Sequence, residues 1–189
     1  MQSQRPDIIL GIDPGTVIMG YGVIGVASRK LSLLEMGTLK LRSTLNSYEK
    51  LERIYETVSG LIETHRPGCF AIEAPFYGKN VQSMLKLGRA QGVAIAAAIR
   101  GGLPVSEYSP KKVKQAVTGN GNASKEQIWQ MLERLLQFTG KPQSFDATDA
   151  LAVAVCHHFQ AIPGVAAAPG GAKSWEQFIR EHPEKLVGK

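Results

Sequence analysis

Apolar and polar residues follow two rhythms along this chain, and the alternation between them outlines a fold. IILGI (8–12) and CFAI (69–72) are short, nearly unbroken apolar runs, the pattern of strands buried on both faces. GYGVIGVA (20–27), LSLLEMGTLKL (31–41) and LPVSEY (103–108) read as further strands, and the first three strands, joined by short turns, form an antiparallel meander. From Ser47 to His65 the rhythm changes. Leu51, Ile54, Tyr55, Val58, Leu61 and Ile62 recur every three or four positions and predict an amphipathic helix ended by Arg66-Pro67-Gly68. The Ala-, Leu- and Met-rich stretch 81–100 is a second helix despite Gly88 and Gly92, whose missing side chains suit close packing.

Pro110 opens a third helix, KKVKQAVT, and Ser124 to Gln127 has capping-box spacing ahead of a fourth that runs to about Phe138. Asp146 to His158 is the last. The order βββαβαβαα plus a closing helix implies an α/β fold: a mixed five-stranded sheet, three strands antiparallel and two added in parallel through helical crossovers, with helices on both faces. Residues 1–160 make one domain. Residues 161–189 are a Pro/Gly/Ala linker, AIPGVAAAPGGAK, and an appendage in which Ser174 could cap a short helix carrying Trp175, Phe178 and Ile179.

Composition narrows the function classes. With 189 residues, 43% hydrophobic and only 20% charged, the chain has a core to bury and is not a disordered polypeptide. Its 22 Lys and Arg against 16 Asp and Glu give a net charge of +6, which favours a polyanionic partner. Cys69 and Cys156 sit in apolar runs without metal-type spacing and read as buried, reduced thiols. No run approaches 18 apolar residues and the start lacks the build of a signal peptide, so no membrane partner and a cytoplasmic location are expected.

The chemistry lies in the acids. Asp13 closes the strand ILGI and Glu73 closes FAI. If those strands lie parallel and adjacent, the two carboxylates share one rim. Asp146 and Asp149 stand three apart at a helix start and point to one side, a place that also suits acids through the helix dipole. Four carboxylates gathered without a cation would repel and raise one another's pKa, so the set reads as a metal site. Oxygen ligands select hard ions, here Mg²⁺, with Mn²⁺ as a substitute. Two such ions would activate a water and stabilise the leaving 3′ oxygen in phosphodiester hydrolysis.

IDPGT, IEAPF, LKLGRAQG, VKQAVTGNGNASKEQ and DATDALAVAVCHH, in that order over residues 8 to about 160, resemble the blocks of the RuvC family of Holliday junction resolvases. The resemblance implies a ribonuclease H-like fold, a homodimer, two metal ions per subunit and paired nicks across a four-way junction in DNA recombination and repair. Carried over position by position, the catalytic acids are Asp13, Glu73, Asp146 and Asp149, the four already gathered. Asp13 would bridge both ions, with Glu73 completing one and Asp149 the other.

Lys114 and Lys125 begin near the acids and match family blocks, so they are expected on phosphates, where contacts give salt-dependent affinity without reading bases. By the same resemblance Phe76 stacks on an unpaired base, while Lys79 and Asn80 add backbone contacts. The helix 81–100 is a candidate dimer face. His157 and His158 close the last helix, where imidazolium suits the dipole. A branch-migration motor is the expected partner beyond the junction DNA. Two competing readings are an actin-like ATPase, which needs two copies of such a fold, and a junction-binding scaffold without activity, which would be expected to lack some of the acids.

Overall fold

The computed structural model describes residues 7–28, 30–75, 80–140 and 144–161. Five strands, β1 (Asp7–Asp13), β2 (Ile18–Ala27), β3 (Lys30–Lys40), β4 (Cys69–Glu73) and β5 (Val105–Tyr108), form one sheet in the order β3-β2-β1-β4-β5. β1 pairs antiparallel with β2 and parallel with β4, β2 pairs antiparallel with β3, and β4 parallel with β5. The mixed topology expected from the hydrophobic rhythm is the one observed.

The helices are α1 (Ser47–His65), α2 (Val81–Arg100), α3 (Pro110–Thr118), α4 (Lys125–Leu136) and α5 (Phe145–Ala161). Local chemistry fixes their ends. Asn46 and Glu49 form a capping box at the start of α1, and Arg66 turns the chain out of it in a left-handed conformation. Ser109 caps α3 with Pro110 in its first turn, and Ser124 and Gln127 form the capping box of α4.

Two cores result, one on each face of the sheet. On one, Leu10, Ile12, Phe70 and Ile72 pack against α1 and α2. On the other, Ile9, Ala71 and Ile24 meet α3, α4 and above all α5, whose residues 150–156 are all buried. This second face is built for closeness. A methyl group placed on Gly22 would stand 2.6 Å from the Leu151 Cα, one on Gly11 would stand 2.7 Å from the Ala154 nitrogen, and one on Gly20 would fall on the Asp146 carbonyl oxygen. The helix answers with Ala147, Ala150 and Ala154, so backbone lies almost against backbone.

Three sequence expectations change. Gly88 and Gly92 do not serve close packing within the chain, because a Cβ at either would meet open space. α5 runs on to Ala161, so His157 is not at its end. It shares a 2.9 Å hydrogen bond between Nδ1 and the Tyr108 hydroxyl, and burial, with His158 nearby, pushes it below the ordinary imidazole value. A lowered pKa favours the neutral ring, not the dipole-capping imidazolium. Cys156 is buried as expected while Cys69 is only half-buried; both are free, and burial raises both thiols to about 11. The linker and appendage beyond residue 161 lie outside the described residues.

Candidate active site

Strand register assembles the first half of the site. Ile12 pairs with Ile72, which sets Asp13 beside Glu73 one residue further on. Asp13 also pairs with Gly20, and Glu73 with Tyr108. The row Gly20, Asp13, Glu73, Tyr108 therefore crosses four strands at one rim. Side chains alternate along a strand, so Asp13 follows Ile9 and Gly11, and Glu73 follows Ala71, onto the α5 face.

The second half comes from α5. Gly20 has no side chain, and the Asp146 backbone occupies the space that one would fill. The first turn of α5 is thereby seated beside Asp13, with Asp149 one turn on. Ser144 Oγ donates to Asp146 Oδ2 at 2.8 Å and accepts from the Asp146 N–H at 3.2 Å, which orients that carboxylate at the helix start. Lys125 Nζ, at the first position of α4, donates to Asp149 Oδ2 at 3.0 Å.

The electrostatics report a crowded set of like charges. Burial, and then Glu73, Asp149 and Asp146, raise the Asp13 carboxyl to about 8, with Lys125 opposing. Glu73 is raised to about 7 by burial and Asp149, against Lys114 and Lys125. Asp149 is raised by burial and Asp146 although Lys125 pulls it down. For Lys125, burial works downward, but the hydrogen bond and charge of Asp149, then Asp146 and Asp13, outweigh it and hold the ammonium above its ordinary value. Two cations, Lys125 and Lys114, facing four acids leave the set under-neutralised.

The donor set is all carboxylate oxygen, which fits a hard divalent ion and not zinc. Among the described residues no three His, Cys, Asp or Glu side chains already stand grouped as a finished ion cage. The backbone brings the four acids to one rim, with Asp149 engaged by Lys125 and Asp146 by Ser144. An ion held by all four would need these carboxylates closer together than they stand.

Other expected contact residues are placed in part. Lys114 Nζ donates to the Ala123 carbonyl at 3.1 Å, tying α3 to the loop before α4 beside the acids. Asn80 is exposed and caps α2, its Oδ1 accepting from the Ser83 N–H at 3.1 Å. Phe76 and Lys79 lie outside the described residues. Sequence reasoning missed Gly11, Gly20 and Gly22 as the floor that seats α5, and Ser144 as the group orienting Asp146. The signal was present, since Gly11 in one strand and Gly20 and Gly22 in the next are complemented by Ala147, Ala150 and Ala154, three and four apart in the last helix.

A mixed sheet with its acids at the shared rim of β1 and β4 and the start of the closing helix defines a ribonuclease H-like nuclease fold. The family model for crossover junction endodeoxyribonuclease RuvC matches residues 9–157. The chain is 55% identical over 179 residues to the crossover junction endodeoxyribonuclease RuvC of Cytophaga hutchinsonii, covering 95% of this chain and 88% of that one. It is 50% identical to that of Porphyromonas gingivalis over 187 residues, 97% of this chain and 99% of the other. Among solved structures, Thermus thermophilus RuvC in complex with a Holliday junction substrate superposes with a TM-score of 0.78 at 34% identity, covering 82% of this chain and 94% of that one. The chain belongs to the RuvC family of crossover junction endodeoxyribonucleases.

Proposed function

We propose that this chain resolves Holliday junctions by paired, symmetric nicks, using Asp13, Glu73, Asp146 and Asp149 to hold two Mg²⁺ ions. The observation that carries the reading is the row Asp13–Glu73 set by strand register under the first turn of α5, with Asp13 raised to about 8 by burial and by the other three acids. Such a set is poorly stable in the charged form until a divalent cation neutralises it. Asp13, the most perturbed, would be the residue shared by both ions, with Glu73 and Asp149 each helping to hold one and Asp146 in support. When bound, the ions supply a strong nucleophile at neutral pH and stabilise the leaving 3′ oxygen.

The chain's own groups do the rest. Lys125, which donates to Asp149, stands at the acid rim where its ammonium would offset charge on the scissile phosphate. Lys114, Asn80, Phe76 and Lys79 hold the DNA around it. Leu85, Gly88, Gly92, Ala96 and Ile99 form an exposed stripe along α2 with no partner among the described residues, and it is the face we assign to a two-fold homodimer. Two copies then present two acid sites to a junction that is itself two-fold. A branch-migration motor as further partner and a cytoplasmic setting belong to the same reading; no helix among the described residues is long and apolar enough to cross a membrane.

Incubating the protein with end-labelled four-way junction or linear duplex, with Mg²⁺ or with EDTA, tests it. Symmetric nicks confined to the junction and dependent on Mg²⁺ are expected. Binding without nicks would leave a scaffold, and nicks in linear duplex at the same rate would remove the junction specificity.

A further inference from the structure

The loop that follows Asp13 has a second side. Thr16 and Val17 border a cleft of about 210 Å³ between the N-terminal half of α1 and α2, on the sheet face opposite α5. Three cations line it: Lys50 from α1, and Lys86 and Arg89, which stand three apart on one side of α2. The hydroxyls of Thr16 and Ser47 border it too, and its floor is apolar, with Leu51 and Ile54. Among the described residues no acid lines the cleft and none of the three cations has an ion-pair partner. Glu49, the nearest acid in sequence, is spent on the α1 capping box, accepting from the Asn46 N–H at 2.6 Å.

Three cations without an ion-pair partner among the described residues, around a hydroxyl-edged cleft, repel one another and favour an anion with several oxygens. The cleft shares its bordering loop with the acid rim, since Asp13 ends β1 and Thr16 and Val17 follow it, so a strand crossing Pro14-Gly15-Thr16 from the scissile phosphate would reach the cleft. Resting on the junction-cutting role proposed above, we infer that this cleft is a second backbone subsite, taking a sugar-phosphate segment of the same junction a few nucleotides from the cut, with Lys86 and Arg89 on the phosphates, Lys50 behind them and the sugar over the apolar floor. The arrangement reads no bases. It fixes the direction in which an arm leaves the active site, which a single cluster of lysines around Lys114 and Lys125 does not.

Junction affinity measured against salt concentration separates this subsite from general charge. Each phosphate contact contributes about 0.9 to the slope of log affinity on log salt. The double variant K86Q/R89Q is expected to lose about 1.8 from that slope per subunit and about tenfold in affinity at moderate salt. The conservative pair K86R/R89K retains most of both. A control, K30Q/R100Q, removes the same charge at the opposite end of the sheet and is expected to keep the wild-type slope. If K86Q/R89Q matches the control in slope and affinity, the subsite is overturned. A change in dimer mass with the slope intact also overturns it, showing the cleft to be a protein contact. Wild-type protein that neither binds nor cuts the junction overturns the underlying function and the subsite together, whereas wild-type cutting with an unaltered K86Q/R89Q slope refutes the subsite alone.

Discussion

The two faces of the sheet solve opposite problems. On the α1 and α2 side, Leu10, Ile12, Phe70 and Ile72 fill the space beneath the helices with large side chains, and burying such groups is what stabilises a fold of this size. On the α5 side, Gly11, Gly20 and Gly22 give that volume up, and alanines from the helix settle into the gap. The second arrangement fixes the helix to within a methyl group. The carboxylates sit on this tighter face, where a shift of about 1 Å costs on the order of 100-fold in a positioned reaction. Bulk supports one side and exactness of distance the other.

The contrast can be broken by substitution. The largest loss is expected from Asp13→Asn on the α5 side, which should cut junction cleavage by about 10³-fold or more while junction binding persists in a gel-shift assay. Loss of both would refute its assignment as an ion ligand. Gly20→Ala adds one methyl where the Asp146 carbonyl lies, and is expected to cost about 100-fold in single-turnover cleavage and about 2 kcal/mol of stability. Phe70→Ala, on the opposite face, should behave the other way round. It is expected to cost about 3–5 kcal/mol in denaturant unfolding, with cleavage per folded molecule nearly preserved.

Smaller effects sharpen the same picture. Asp13 and Glu73 are raised in the folded protein, to about 8 and about 7, so the folded state holds more protons than the unfolded state between the ordinary carboxyl range and those values. Stability in EDTA is therefore greatest at acid pH and falls as pH rises through that window, by several kcal/mol, on the order of 6, between pH 5 and 8. Mg²⁺ should restore it at pH 8, and D13N should flatten the profile in melting experiments. Gly60 on α1 faces open space, so Gly60→Ala is expected to add about 0.5–1 kcal/mol and leave cleavage as it was.

Much of this was legible beforehand because the signals were local. α1, β4 and α2 have the bounds read from the sequence, since Asn46, Arg66-Pro67-Gly68 and Gly101-Gly102 punctuate them chemically. The apolar runs marked β1 and β4 as buried strands, but that they lie parallel and adjacent, with Asp13 beside Glu73, stood in the sequence only as a condition that the register of the sheet fulfils. What escaped was the depth of contact between elements. Gly20 read as part of a strand, not as the seat of Asp146, because a missing side chain gives no hint of which backbone will fill its place. His157 read as a cap because α5 was expected to stop at His158, and a few more residues of helix put it against Tyr108 instead. Lys114 and Lys125 were expected on DNA, and their present partners, the Ala123 carbonyl and Asp149, depend on how α3 and α4 pack.

The proposed chemistry needs the four acids to come together around shared ions. Anomalous scattering from crystals of the protein soaked in Mn²⁺ tests it most directly. Two peaks between Asp13, Glu73, Asp146 and Asp149, with Lys125 released from Asp149, are predicted. A map with no peak at that rim, or with manganese bound elsewhere and the acids still apart, would contradict it.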